Sequence, residues 1–187
     1  MNYTENYHLN QWDATDRVLM EDFNADNEKI DTAIAAIPYV KIKELTLSAA
    51  ATTASLDVSD VDFSQYMKIE LFVHAPQSSG AITVQVNNLT SGYSALQLNG
   101  SGGGMGAAQS FQYLATFYKY GYGALLFYTP NPSGKVGCIN FAATESSYFG
   151  YQSFASCTWK QLNSFNFNVT GASFPAGSTF ALFGIRA

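Results

Sequence analysis

The sequence predicts a mainly β protein, in which one N-terminal α-helix precedes an antiparallel, jelly-roll-like β-sandwich. Two observations predict it. Apolar residues recur every three or four positions up to Ile37, and every second position after Pro38. The charge changes in the same region, because residues 1–44 hold 9 of the 14 acids and 4 of the 9 bases, and therefore the whole net charge of −5. We divide the chain into an attachment or oligomerisation segment at 1–38 and a β-sandwich domain at 39–187.

The N-terminal segment has the pattern of a helix over about 16–37. Asp13 or Thr15 is placed to cap its start, and Pro38 ends it. Two interpretations stay open: an amphipathic helix packed on its own body, or a short parallel coiled coil between identical chains whose register is set by Asn27. In the second, which we favour, the oligomerisation residues are Met20, Phe23, Asn27, Ile30, Ile34 and Ile37.

Beyond Pro38 the chain alternates as half-buried strands do. One strand has Ile69, Leu71 and Val73 on its inward face and Lys68, Glu70 and Phe72 on the other. Stretches rich in glycine, proline and asparagine separate such segments at 76–80, 87–92, 100–106, 129–134, 146–150 and 171–177. Eight to ten short strands with these turns are typical of an antiparallel sandwich.

Several classes of protein are excluded by composition. No apolar run approaches the ~18 residues of a membrane span, and the first residues lack the basic and apolar regions of a secretory signal. Lys and Arg do not cluster, so we expect neither membrane insertion nor nucleic-acid binding. Cys138 and Cys157 lie far from any CxxC pattern, and we favour free thiols over a disulfide.

The body offers few groups for catalysis. Glu70 and Glu145 are the pair of carboxylates that a glycosidase would use, but alternation places Glu70 on a solvated strand face. His74 is the only histidine after residue 38, and no nucleophile-elbow motif accompanies it. We therefore expect no enzymatic activity, no catalytic residues and no cofactor.

Three aspartates invite a metal interpretation. Asp57, Asp60 and Asp62 have the composition of a calcium loop, but they lack the spacing of an EF-hand and its closing glutamate. Turns capped by aspartate side chains account for the same residues, and we predict no metal site.

Tyrosine is dense in two stretches, 111–128 and 147–154. Alternation buries about half of each set and leaves the rest to face outward. An exposed tyrosine gives a stiff, amphipathic contact surface that suits stacking on a sugar ring or packing against a protein. A ligand surface, a subunit interface and an inert surface stay open as alternatives. The candidate ligand-binding residues are Tyr118, Tyr120, Tyr122, Tyr148 and Tyr151.

The two ends of the chain carry a resemblance. The N-terminal motif consists of Asn6, Tyr7 and Leu9, the Thr15–Asp16 turn, the run 21–26, and Ile30 with Asp31. It resembles the N-terminal segment of tail-fibre and related virion proteins from phages and prophages of Firmicutes-type bacteria. The final strand, 177–187, is similar to the last strand of sandwich domains in such proteins.

The resemblance implies a non-enzymatic virion protein, assembled in the bacterial host cytoplasm. It implies a homotrimer whose N-terminal segment attaches to other phage tail proteins and whose sandwich contacts a host surface glycan or protein. The same sequence features are also compatible with a purely structural decoration or spacer subunit. A carbohydrate-active enzyme is the third alternative.

Overall fold

The computed structural model describes residues 2–75, 80–99, 104–105, 109–117, 122–128, 134–143 and 148–187. In these ranges the protein is mainly β, with antiparallel sheets and one α-helix. The chain divides into two compact units, Met1–Pro38 and Tyr39–Ala187, at the proline where the sequence period changes. Within the described ranges, no helix has both the length and the apolar character needed to cross a bilayer.

The N-terminal unit is a small hairpin beside a helix. Its elements are β1 (Asn2–Tyr3), β2 (Asn10–Gln11) and α1 (Met20–Ala35). The backbone N–H of Asn10 donates to Asp26 Oδ2 at 2.8 Å, and Lys29 Nζ donates to the carbonyl oxygen of His8 at 2.6 Å. These bonds tie the hairpin to the helix, and no residue of α1 is buried.

The helix begins four residues later than the sequence indicates. Asp13 and Asp16 form a turn of their own: the N–H of Asp13 donates to Asp16 Oδ2 at 3.0 Å, and the N–H of Asp16 donates to the carbonyl of Asp13 at 2.9 Å. The predicted caps Asp13 and Thr15 are therefore wrong. Leu19 takes the N-cap position without a side-chain bond, and Glu21 in the first turn complements the helix dipole.

The second unit has thirteen strands among its described residues, more than the eight to ten expected. Three of them are only two or three residues long, too short to show alternation. The strands are β3 (Tyr39–Thr46), β4 (Thr53–Asp57), β5 (Tyr66–His74), β6 (Ala81–Val86), β7 (Tyr93–Asn99), β8 (Gly104–Met105), β9 (Gln109–Phe111), β10 (Ala115–Phe117), β11 (Tyr122–Tyr128), β12 (Lys135–Ala143), β13 (Tyr148–Thr158), β14 (Ser164–Thr170) and β15 (Thr179–Arg186).

Two antiparallel sheets share one core. The smaller has the order β10-β6-β14-β4, and the larger β3-β15-β5-β11-β12-β13-β7-β8, with β9 also paired to β7. Rings from opposite sheets meet inside, with centroids 5.6 Å apart for Phe127 and Phe165 and 4.2 Å apart for Phe167 and Phe180. This packing fits the predicted sandwich. The jelly-roll connectivity and the coiled coil stay predictions.

Two polar side chains of β12 and β13 donate hydrogen bonds across the core to backbone carbonyls at and just before β10 of the smaller sheet. Ser153 Oγ, fully buried on β13, donates to the carbonyl of Leu114 at 2.6 Å and lies 3.3 Å from Cys138 Sγ. Asn140 Nδ2 donates to the carbonyl of Thr116 at 3.3 Å. Cys138 and Cys157 are buried free thiols, as the sequence favours, and burial raises the pKa of Cys138 to about 12.

Candidate ligand-contacting site

Strand β5 places an aromatic and a charged side chain on the outer face of the larger sheet. Ile69, Leu71 and Val73 are buried, so the alternating residues point the other way. Of these, Phe72 is 38% exposed. β5 pairs with β15, which places Phe183 opposite Glu70. An aromatic ring and a carboxylate therefore lie side by side on a surface that is free of the core.

Tyr39 completes an aromatic cluster on this surface. The Tyr39 and Phe183 rings are nearly parallel, with an interplanar angle of 7° and centroids 5.4 Å apart. Phe72 meets Phe183 edge-on, with centroids 5.7 Å apart. Such offset and edge-to-face arrangements are the favoured geometries of aromatic pairs. We call Tyr39, Phe72 and Phe183, with the adjacent Lys68 and Glu70, the outer aromatic platform.

Polar contacts fix the orientation of the platform. Tyr39 Oη donates to Glu70 Oε2 at 2.8 Å, and Lys68 Nζ lies 2.6 Å from Glu70 Oε1. Burial alone raises the pKa of Glu70, but the bonds from Lys68 and Tyr39 outweigh it and hold that pKa below its usual value. Burial and then Glu70 raise the pKa of Tyr39 to about 12. At neutral pH the platform carries a neutral phenol, a carboxylate and an ammonium.

The chemistry of this surface suits a polyhydroxylated ligand. Tyr39 is 42% exposed, so the part of its ring that Phe183 does not cover can stack on an apolar face of a ligand ring. The carboxylate of Glu70 accepts hydrogen bonds and the ammonium of Lys68 donates them. The hydroxyl of Tyr39 is held by Glu70 and does not need to be reoriented when a ligand binds.

The tyrosines selected from the sequence fall largely outside the described residues. Tyr118 and Tyr120 are among the residues that the structure does not describe. Tyr122, Tyr148 and Tyr151 are described as strand positions only: Tyr122 pairs with His74, Tyr148 with Ala143, and Tyr151 with Asn140. Their role in ligand binding stays a prediction.

The predicted oligomerisation residues lie along one helix and just beyond it. Met20, Phe23, Asn27, Ile30 and Ile34 are in α1, and Ile37 follows it. All six are exposed in the single chain. Within the part of the chain that the structure describes, these exposed and mostly apolar side chains form a stripe that is available for association.

The remaining chemical candidates have structural roles where they are described. Glu70 is a half-buried, doubly bonded residue, which corrects its interpretation as a solvated strand position. Its proposed partner, Glu145, lies outside the described residues. Asp57 Oδ1 accepts from the N–H of Ser59 at 2.9 Å, which forms the predicted aspartate turn.

Asp62 forms the second such turn, and Asp60 is held differently. Asp62 Oδ1 accepts from the N–H of Ser64 at 3.0 Å. Asp60 Oδ2 lies 2.7 Å from Lys43 Nζ. In the described ranges no three histidine, cysteine or acidic side chains are grouped as a metal site would require.

Sequence reasoning missed Tyr39 and Phe183. The alternation of β5 already placed Phe72 and Glu70 on the outward face, which was a usable signal. Tyr39 had none, because it follows Pro38 and precedes the first alternating pair. Its neighbours come from strand pairing over more than 30 residues, a distance at which local periodicity carries no information.

No protein-family model matches this sequence, and no curated protein matches it. Similar solved structures include the galectin LEC-6 of Caenorhabditis elegans, 12% identical over 77% of this chain and 96% of the galectin, with a TM-score of 0.35. A β-1,3-glucan-binding CBM6 from Bacillus halodurans is 13% identical over 80% of this chain and 97% of its own, with a TM-score of 0.26. The CBM2 module of an evolved Dit from Lactobacillus casei BL23 phage J-1 is 9% identical over 79% of this chain and 77% of its own, with a TM-score of 0.30. No property of this chain follows from similarities this distant.

Proposed function

We propose that this chain is a non-enzymatic, tail-associated adhesion subunit of a phage-type particle, present in the virion after assembly in the bacterial cytoplasm. Its β unit contacts a glycan on the host surface. The N-terminal unit joins three copies of the chain and attaches them to other tail proteins. The resemblance of residues 6–31 to phage tail-fibre proteins supports the attachment role.

The outer aromatic platform is the observation that carries the glycan role. A partly exposed ring, oriented by a hydrogen bond and flanked by a carboxylate and an ammonium, supplies the stacking surface and the polar partners that a sugar needs. Protein recognition by the same surface is the alternative. A protein interface of standard size buries about 800 Å² on each partner, so it needs more than three rings.

The state of Glu70 supports a non-enzymatic role. A general acid in glycoside hydrolysis must hold its proton near neutral pH, which requires a raised pKa. Lys68 and Tyr39 lower the pKa of Glu70 instead. This carboxylate is suited to accept hydrogen bonds from a ligand and unsuited to protonate a leaving group.

The exposed stripe of α1 supports assembly through the N-terminal unit. The helix has 16 residues and no buried position. Isolated helices of about this length are marginal in water, so most of their stability comes from packing an apolar face. In a parallel trimer Ile30, Ile34 and Ile37 fill the core, and Asn27 fixes the register.

Binding to purified host cell-wall polysaccharide tests the glycan role. We expect the full chain to be retained, and Tyr39→Ala to lose about tenfold in affinity because both the ring and its bond to Glu70 are removed. Tyr39→Phe keeps the ring and is expected to lose less. Isothermal titration calorimetry measures each affinity.

Phe154→Ala is the matched control. Phe154 is 40% exposed, close to the 42% of Tyr39, and lies on β13 of the same sheet, away from the platform. Equal losses for Phe154→Ala and Tyr39→Ala would contradict the platform as the site. No retention on any host polysaccharide, with a correctly folded chain, would favour the spacer subunit.

A further inference from the structure

A second candidate site, a cleft of about 350 Å³, lies within the β unit. It is bordered by two single-turn 3-10 helices, Phe63–Gln65 and Trp159–Gln161. This volume is in the range of small-molecule sites. The lining combines four apolar residues with four polar ones: Val61, Phe63, Trp159, Leu162, Ser59, Asp62, Ser64 and Lys160.

The apolar floor of the cleft is preformed. Phe63 and Trp159 are each 4% exposed, and their ring centroids are 5.1 Å apart. Trp159 also meets Phe127 edge-on at 5.4 Å. Rings held on two sides inside the core do not need to move when a ligand enters, which lowers the entropic cost of binding.

The turn that carries Trp159 is held from several directions. The N–H of Thr158 donates to Gln161 Oε1 at 3.0 Å, which closes a capping box around the turn. Asn87 Nδ2 donates to the carbonyl of Gln161 at 2.7 Å, and the N–H of Trp159 donates to the carbonyl of Gly134 at 3.1 Å. These bonds position the floor relative to the rim.

The rim carries one charge of each sign. Hydrogen bonds from Ser64 and Gln65 lower the pKa of Asp62, so its carboxylate is ionised at neutral pH. Lys160 is exposed and has no hydrogen bond or ion pair within the described part of the chain. The nearby Asp60 is already paired with Lys43. The charges on the rim therefore sum to zero, with both donors and acceptors available.

We infer that this cleft binds a single neutral sugar ring. The apolar face of a pyranose packs on the apolar lining of the cleft, to which the two buried rings contribute only their exposed edges, and its hydroxyls donate to Asp62 and accept from Lys160. An anionic or cationic ring meets attraction from one rim charge and repulsion from the other. This inference rests on the proposed glycan role, but it concerns a site built from other residues than the platform.

Tryptophan fluorescence provides a direct test. The chain has two tryptophans, Trp12 and Trp159, so the variant Trp12→Phe leaves Trp159 as the sole reporter. In this variant of the full chain, methyl glycosides of glucose, galactose and N-acetylglucosamine are titrated. At least one is expected to shift the emission with a dissociation constant on the order of 1 mM, as the size of one ring implies.

Substitutions on the rim identify the groups involved. Lys160→Ala removes the free ammonium, and Asp62→Asn removes the charge while keeping the oxygen that accepts from Ser64. Each is expected to raise the dissociation constant about tenfold. Lys41→Ala, on β3 outside the cleft, is the control and leaves it unchanged.

The outcomes separate the two sites. Tyr39→Ala leaves the Trp159 response intact if the cleft binds sugar independently of the platform, and loss of the response in that variant would overturn the inference. It would equally be overturned if no neutral glycoside moves the emission, if glucuronate or glucosamine binds more tightly than the neutral sugars, or if Lys160→Ala binds as before. If the chain is retained on polysaccharide but no sugar changes the Trp159 emission, this inference is wrong and the proposed function is unaffected.

Discussion

At the scale of single residues, the contact between Tyr39 and Glu70 can be tested by titrating the Tyr39 hydroxyl. The pKa of Tyr39 is raised to about 12, first by burial and then by Glu70, against an ordinary value near 10. A group whose pKa is raised on folding contributes stability below its unfolded pKa. That contribution is lost as the pH rises from about 10 to about 12.

We predict that the absorbance difference between the protein and Tyr39→Phe reports one tyrosinate that forms near pH 12. Glu70→Gln removes the carboxylate charge that opposes ionisation, so the same difference measured in its background should titrate at lower pH. If this absorbance difference shows that Tyr39 ionises near pH 10 while Glu70 is present, the bond between Tyr39 and Glu70 is not formed in solution.

At the scale of elements, Asn87 joins the end of β6 to the segment that leads into β14. Its backbone has a φ of 52°, in the left-handed region. Its Oδ1 accepts from the N–H of Asn163 at 2.9 Å and of Ser164 at 3.2 Å, and its Nδ2 donates to Gln161. One side chain thus ties the turn after β6 to the element that carries Trp159.

We predict that Asn87→Ala lowers the free energy of unfolding by about 3 kcal/mol, because the bonds to Gln161, Asn163 and Ser164 and a weaker one to Cys157 Sγ at 3.7 Å are lost. The alanine side chain, which has no local bonding, must also hold a positive φ. Asn87→Gly loses the same hydrogen bonds but adopts a positive φ without strain, so it should be about 1 kcal/mol less damaging. Urea denaturation measures both. The control is Asn88→Gly, at φ 56°, where the bond from its N–H to Asn166 Oδ1 survives, and a change within about 0.5 kcal/mol is expected. Similar values for Asn87→Ala and Asn88→Gly would contradict the tie.

Elements with a repeated local pattern were the ones the sequence could predict. β5 and β6 follow a strict alternation, and α1 follows a three-to-four spacing, so their existence and type were evident. The start of α1 was not, because Asp13 and Asp16 satisfy each other instead of capping the helix. The strands β8, β9 and β10 are too short to show a local pattern, and the partner of β10 is β6, more than 30 residues earlier in the chain.

At the scale of the whole molecule, the candidate sites depend on that same long-range pairing. The platform joins Tyr39 to Phe183, and the cleft joins Phe63 to Trp159. The sequence showed only two of their parts, an outward Phe72 and an aspartate turn at Asp62. It indicated that contact rather than catalysis was to be sought, since few titratable groups were present. The arrangement of the platform could be found only from the register of β15 against β5 and β3.

Charge repulsion and apolar burial oppose each other in the N-terminal unit, and their balance predicts how the proposed self-association responds to salt. Residues 1–38 hold 8 acids and 2 bases, a net charge of −6, whereas residues 39–187 hold 6 acids and 7 bases, a net charge of +1. A parallel trimer of α1 brings three strongly negative units together while it buries the stripe of Phe23, Ile30 and Ile34. The repulsion extends over about 30 Å at 0.01 M salt but only about 3 Å at 1 M.

We therefore predict that sedimentation equilibrium finds weaker self-association at about 0.01 M salt than at about 0.5 M, the reverse of an assembly held by ion pairs. Replacing Ile30 and Ile34 by serine should leave a monomer at every salt concentration, because the apolar area that drives association is removed. Ala25→Ser, at a helix position outside the stripe, should associate like the unsubstituted chain. A chain that stays monomeric at high salt, or that associates equally well without Ile30 and Ile34, would show that the stripe serves another partner. Stronger association in that partner's presence, favoured by low salt, would then identify a basic surface on it, since opposite charges attract most where screening is least.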